Sequence, residues 1–115
     1  MFTTVEIIEP IYTHNEKKYM DIKILYHKDI DIVNRLSQTN SKSGKFSNSL
    51  KNGNILKVKI PYRYRKIECR VEGLKTLYEY KKNDMAMVEI LYMGEWVVGD
   101  FAGNAWKLVG INPGI

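Results

Sequence analysis

Residues 54–65, with the sequence NILKVKIPYRYR, decide the fold class because apolar and cationic side chains alternate along them. An alternation of period two is typical of a β-strand that is buried on one face. One face of the predicted strand carries Leu56, Val58, Ile60, Tyr62 and Tyr64, and the other carries Lys57, Lys59, Arg63 and Arg65. Pro61 lacks an N–H, so it indicates a sheet edge or a bulge, and a bulge there would reverse the facing of the two tyrosines.

The rest of the chain repeats this pattern in short strands that are separated by turns. The other predicted strands are 3–12, 18–27, 85–93, 96–98 and 106–111. Residues 73–82 have the apolar spacing of a short helix, while residues 29–36 are ambiguous between helix and loop. Residues 37–54 are rich in Ser and Asn and carry lysines without an acid, so they predict a flexible basic loop.

This order of elements predicts a single, mainly β domain over residues 1–115. The architecture that it favours is a five-stranded, OB-like Greek-key barrel. In that architecture one short helix lies between the third and fourth strands, and a long loop, residues 37–54, lies between the second and third.

The 115-residue chain has a net charge of +5, and its cations are concentrated between residues 42 and 70, where Glu68 is the single acid. The lone cysteine, Cys69, excludes an intrachain disulfide and suits a reducing compartment. Residues 1–10 lack the basic start of a signal peptide, and no apolar run approaches the ~20 residues of a membrane span. We therefore expect a soluble, intracellular protein with an anionic partner.

Two segments in the C-terminal half carry a resemblance to a known family. Residues 72–77 (EGLKTL) and 81–90 (KKNDMAMVEI) resemble the helix, turn and fourth strand of OB-fold proteins. Residues 99–111, GDFAGNAWKLVGI, resemble the closing strand of small single-stranded-DNA-binding proteins, of the kind found in large DNA viruses and phages. The resemblance implies a protein that binds unpaired DNA without sequence preference, often with self-association.

Cations that follow a phosphate backbone and rings that stack on bases favour a sequence-tolerant single-strand site. The candidate nucleic-acid-binding residues are Tyr19, Lys23, Lys42, Lys45, Phe46, Lys51, Lys57, Lys59, Tyr62, Arg63, Tyr64, Arg65, Lys66, Trp96 and Phe101. Alternatives stay open for part of this set. Tyr62 and Tyr64 face either the core or the ligand, and Tyr19 and Lys23 are either contacts or solvated side chains. Trp106 is interpreted as a core residue.

No motif for catalysis, a metal or a cofactor is found. His14 and His27 have no Cys or carboxylate neighbours at metal-ligand spacing, and a glycine-rich phosphate loop is missing. We expect a non-catalytic protein that binds single-stranded nucleic acid, DNA rather than RNA, with a second copy of the chain as a further candidate partner and no membrane. Two alternatives remain: a structural or assembly module for an acidic protein partner, and a single-stranded-RNA-binding protein.

Overall fold

The computed structural model describes residues 1–39 and 49–114 of the chain, which is mainly β, as the sequence predicts. The strands are β1 (Phe2–His14), β2 (Lys17–Ile24), β3 (Leu50–Lys51), β4 (Ile55–Ile60), β5 (Tyr62–Arg63), β6 (Lys66–Ile67), β7 (Arg70–Val71), β8 (Met85–Val98) and β9 (Phe101–Asn112). The helices of the described part are α1 (His27–Thr39) and a short 3-10 helix (Leu77–Glu79).

The main sheet curls into a nearly closed ring. β1 lies between β2 and β8, β2 also pairs with β4, and β8 also pairs with β9, all in antiparallel register. A parallel bridge between Lys59 of β4 and Lys107 of β9 brings the two ends of this sheet together. The short strands β3 and β7 extend the sheet beside β4 and β9.

Alternate side chains of these strands fill the interior of the ring. The buried apolar residues of the five ring strands are Val5, Ile7, Met20, Ile22, Ile24, Leu56, Val58, Ile60, Ala86, Val88, Ile90, Trp106, Leu108 and Ile111. Successive side chains of a strand point to opposite faces, so the residues between them lie on the outer surface. The alternation predicts one buried face for β2 and one for β4. The structure confirms this for Met20, Ile22 and Ile24 of β2 and for Leu56, Val58 and Ile60 of β4.

The α-helix lies in a different place from the prediction. α1 spans His27–Thr39, between β2 and β3, and buries Val33 and Ser37, which are one helical turn apart. Residues 73–82 instead contain only the 3-10 turn Leu77–Glu79, which is bounded by Thr76 and Tyr80 in extended conformation. No helix of the described residues is long and apolar enough to cross a bilayer.

The predicted loop over residues 37–54 is wrong at parts of both ends that the structure describes. Its first residues belong to α1, and Leu50–Lys51 form β3, which pairs with β4. The ambiguous stretch 29–36 is helical, and its apolar spacing buries Val33 in the core while Ile30 and Leu36 pack against that core. Residues 40–48 lie outside the part of the chain that the structure describes.

The third predicted strand ends earlier than its alternation indicates. β4 stops at Ile60, and the chain then forms a separate two-stranded hairpin in which β5 pairs with β6. The Pro61 carbonyl accepts a hydrogen bond from the Glu68 N–H, which closes the base of this hairpin. Tyr62 and Tyr64 are therefore 41% and 86% exposed, and the interpretation that they continue the core face is wrong.

The predicted turn at residues 94–95 is also wrong. β8 continues through it to Val98, and a bulge between Tyr92 and Gly94 absorbs the irregularity, with Gly94 at a φ of +107°. The chain reverses later, at residues 99–100, so that β8 and β9 form one long hairpin. Gly94 therefore lies at a β-bulge within β8 and not in a turn between two strands.

Candidate nucleic-acid interface

The outward faces of β2, β3, β4 and β9 carry a group of lysines, which we call the lysine face. Strand register places them side by side, because Lys59 pairs with Tyr19 of β2 on one side and with Lys107 of β9 on the other. The lysine face consists of Lys23, Lys51, Lys57, Lys59 and Lys107. Their neighbours along the strands, such as Val58, point into the core.

Lys107 is the residue of this face that the sequence-based prediction misses. It lies between the buried residues Trp106 and Leu108, so the alternation alone places it on the outer surface. Its position beside Lys59 depends on the parallel pairing of β4 with β9, whose sequences are almost fifty residues apart. No local signal in either strand specifies that pairing.

No lysine of the lysine face forms an ion pair with a described residue, although Lys57 lies across from Asp21 and Lys23 across from Glu6 in the strand register. Arg70 forms ion pairs with Glu72 and Glu89, and Lys75 forms one with Asp84, and none of these three pairs involves the lysine face. Ammonium groups that are close together and lack carboxylate partners repel one another, and a bound polyanion relieves that repulsion. The face is therefore suited to an external anion.

Aromatic rings border the lysine face at the β1–β2 hairpin. The ring centroid of Tyr19 lies 6.0 Å from that of Tyr12 and 6.5 Å from that of His14. The ammonium group of Lys57 lies 4.2 Å from the centre of the Tyr19 ring, a cation–π contact. A cation and a half-buried ring are thus placed within about one strand spacing of each other.

Tyr12 contacts Asp21, the one acidic residue of β2, which lies across from Lys57. Its hydroxyl donates a hydrogen bond of 2.6 Å to Oδ1 of Asp21. Burial, followed by the bond to Asp21 and the charge of nearby carboxylates, raises the pKa of the Tyr12 phenol above its ordinary value. The phenol therefore stays protonated at neutral pH and continues to donate to Asp21.

A groove of about 260 Å³ opens at the C-terminal end of β4. Its lining residues are Lys59, Pro61, Tyr62, Arg63, Glu68, Met93 and Lys107. The cations come from three strands, β4, β5 and β9, and Glu68 is the one acid among the lining residues. The groove therefore connects the lysine face to the β5–β6 hairpin.

The β5–β6 hairpin, which we call the tyrosine hairpin (residues 62–67), turns through two strained residues. Tyr64 and Arg65 have φ angles of 52° and 63°. A two-residue turn with positive φ at both positions favours Asn-Gly, and another side chain there costs about 1–2 kcal/mol. At the hairpin's base, the Lys18 ammonium lies 4.7 Å from the centre of the Tyr62 ring. The exposed ring of Tyr64 and the guanidinium of Arg65 therefore lie at the tip of the hairpin, on residues with strained backbone conformations.

The strain in the tyrosine hairpin predicts a stabilising change. We expect the double substitution Tyr64→Asn, Arg65→Gly to raise the free energy of unfolding by about 1 kcal/mol, because Asn and Gly adopt positive φ at lower cost. Urea denaturation monitored by circular dichroism measures this change.

The β1–β2 turn offers a matched control for that substitution. Asn15 and Glu16 also have positive φ angles, 50° and 66°, so Glu16→Gly should stabilise the protein by a similar mechanism at a different turn. A tyrosine-hairpin variant that is less stable than the wild type, beside a stabilised Glu16→Gly, would contradict the strain at Tyr64 and Arg65.

Trp96 and Phe101 lie at the far end of the β8–β9 hairpin. They are 47% and 74% exposed, and Trp96 covers Gly103, where an added Cβ would collide with the indole. Phe101 is six residues from Lys107 along β9, about 20 Å at ~3.3 Å per residue. Phe101, at the tip of this hairpin, is therefore separated from Lys107 of the lysine face by about half the length of β9.

Trp106 is a core residue, as the sequence predicts. Its ring centroid is 5.1 Å from that of Tyr92, and its Nε1–H donates a hydrogen bond of 3.2 Å to Oγ of Ser49. Ser49 in turn shares a short hydrogen bond with Ser37, whose hydroxyl donates to the Val33 carbonyl. This chain of hydrogen bonds joins α1 to β9 through the core.

The remaining predicted residues divide between the described and undescribed parts of the chain. Arg65 and Lys66 are exposed on the tyrosine hairpin. Lys42, Lys45 and Phe46 lie outside the described residues.

Other reactive groups of the described residues do not form a site. Cys69 is half-buried, and burial raises the pKa of its thiol, which disfavours the thiolate nucleophile. Among residues 1–39 and 49–114, no cluster of three His, Cys, Asp or Glu side chains could hold a metal ion. Comparisons with known protein families, with curated proteins and with solved structures gave no match.

Proposed function

We propose that this protein binds single-stranded nucleic acid, DNA in the first instance, without sequence preference and without catalysis. The observation that carries the proposal is the convergence of Lys57, Lys59 and Lys107 on one surface beside the ring of Tyr19. Phosphates lie along the lysines of β4 and β9, and bases stack on Tyr19 and on the exposed ring of Tyr64.

The strand pairing supports the finer proposal of a five-stranded, OB-like barrel. Around the ring the order is β1-β2-β4-β9-β8 and back to β1, with β4 and β9 parallel and the other pairs antiparallel. In OB-folds the outer face of the second and third barrel strands binds oligonucleotides. The corresponding strands here are β2 and β4, which carry Tyr19, Lys57 and Lys59.

The kinds of side chain on the lysine face favour binding that tolerates any sequence. An ammonium group is a flexible point charge that contacts phosphate without reading a base edge. Stacking on a tyrosine ring is open to every base, because every base has a π-face, and is worth about 1–3 kcal/mol per base. Affinity should then depend on strand length and salt rather than on sequence.

A salt series with matched oligonucleotides tests the proposal. Five phosphate contacts on a single strand predict a slope of about −3.5 for log affinity against log salt concentration, hence a loss of about 100-fold between 50 and 200 mM. Fluorescence anisotropy of labelled oligo-dT, oligo-U and a duplex of equal length measures this. An affinity that ignores salt, or a tenfold preference for duplex, would contradict the proposal.

A second candidate function, an assembly module for a protein partner, is favoured by the tip of the β8–β9 hairpin. Trp96, Val97, Val98 and Phe101 are exposed there, and exposed apolar patches mark interaction sites. Trp106 is buried, so any quenching of tryptophan fluorescence by oligo-dT reports on Trp96. Strong quenching indicates that nucleic acid stacks at this tip. Unchanged fluorescence leaves the tip to a protein partner, and the anisotropy titrations then decide whether the lysine face binds oligo-dT.

A further inference from the structure

The sign of the surface charge changes within one strand spacing between β4 and β2. Lys57 of β4 pairs with Asp21 of β2, and Asp21 pairs with Glu9 of β1. Neighbouring strands lie about 4.8 Å apart, so one cation is followed by two carboxylates over about 10 Å of the outer surface. The lysine face therefore has an acidic border on its β1 side.

Asp21 does not neutralise Lys57, although the two residues are cross-strand neighbours. The Asp21 carboxylate accepts the hydrogen bond from the Tyr12 hydroxyl at 2.6 Å, while the Lys57 ammonium lies over the Tyr19 ring at 4.2 Å. Within the described residues these two groups form no ion pair with each other. Two tyrosines thus separate the opposite charges, and both charges remain at the surface.

The opposite border of the lysine face carries apolar side chains along β8. There Lys107 of β9 pairs with Leu91 of β8, and Met93 follows on the same outer surface. Leu91 and Met93 are both exposed and apolar. The lysines of β4 and β9 are therefore bordered by carboxylates on the β1 side and by apolar side chains along β8. Arg63 of the tyrosine hairpin continues the positive charge through the groove at the end of β4.

We infer that Asp21, positioned by Tyr12 and reinforced by Glu9, is a specificity-determining residue that excludes double-stranded nucleic acid from the lysine face. The inference rests on the proposed function. A single strand has one backbone, which lies along the lysines of β4 and β9. A duplex has a second backbone across a groove of about 6 or 12 Å, which on the β2 side lies over the two carboxylates.

The substitution Asp21→Asn tests this inference, because the amide oxygen still accepts the hydrogen bond from Tyr12 while the negative charge is removed. We expect the affinity for duplex to rise about fivefold at 50 mM salt, and the affinity for oligo-dT to rise less than about twofold. Asp31→Asn is the matched control, because it changes the net charge equally at an exposed position of α1.

Each outcome of this experiment has a separate meaning. Wild-type protein that binds neither oligo-dT nor duplex overturns the proposed function. Wild-type protein that binds oligo-dT, with the same ratio of duplex to single-strand affinity in Asp21→Asn and Asp31→Asn, overturns the inference alone. Glu9→Gln is a second variant that disturbs no hydrogen bond of a described side chain, and it should raise duplex affinity in the same direction.

Discussion

The triple substitution Lys57→Gln, Lys59→Gln, Lys107→Gln should lower the affinity for oligo-dT by about 100-fold at 50 mM salt. Each phosphate contact with a single strand contributes about 0.7 to the slope of log affinity against log salt, so the slope should fall by about 2. The three side chains lie next to one another only because β4 and β9 pair at Lys59 and Lys107. Anisotropy titrations over a salt series measure both quantities.

A charge-matched variant separates the lysine face from net charge. Lys28, Lys81 and Lys82 are exposed on α1 and on the turn before β8, away from the strands of the lysine face. Replacing these three by Gln removes the same charge, and we expect a loss of only a few-fold because distant surface charges are screened by salt. Equal losses in the two triple variants would contradict the assignment of the interface to the lysine face.

Trp106→Ala should lower the free energy of unfolding by about 3–5 kcal/mol, a large part of the ~5–15 kcal/mol of a typical domain. Trp106 is among the largest fully buried side chains, and it packs on Tyr92 and donates to Ser49. Its removal leaves a cavity in the ring and breaks the hydrogen-bonded connection to α1. Urea denaturation followed by circular dichroism measures the loss without relying on the missing fluorophore.

Two further tryptophan variants test the cause of that loss. Trp106→Phe retains much of the apolar contact but removes the donor to Ser49, so a loss of about 1–2 kcal/mol is expected. Trp96→Phe changes an exposed ring and should alter the free energy of unfolding by less than about 0.5 kcal/mol. A cost below 1 kcal/mol for Trp106→Ala would contradict the interior position of this indole.

Period-two alternation predicted the strands and their buried faces well in β2 and β4. The pattern is informative because a strand that is buried on one side must place apolar residues at every second position. The same rule placed Lys57 and Lys59 on the outer surface, since each lies between core residues. Part of the candidate interface could therefore be assigned from a single strand.

Sequence patterns gave wrong predictions where the same local pattern is compatible with two different structures. The alternation continues past Pro61 to Arg65, yet the chain leaves the sheet there, because proline removes a ladder donor and the tyrosine hairpin closes instead. Gly94 marks a bulge and not a turn, since β9 pairs with β8 on both sides of it. The helical spacing of residues 73–82 yielded only a 3-10 turn at Leu77–Glu79, with the flanking Thr76 and Tyr80 in extended conformation.

Local pattern was sufficient for the mainly β class, the buried faces of β2 and β4 and the outward direction of their lysines, because these depend on neighbours one or two positions away. Long-range strand pairing decided which charges meet: Lys107 beside Lys59, and Asp21 beside Lys57. Register is set by packing of the whole ring, so no single segment contains the information that places a cationic band next to a carboxylate border.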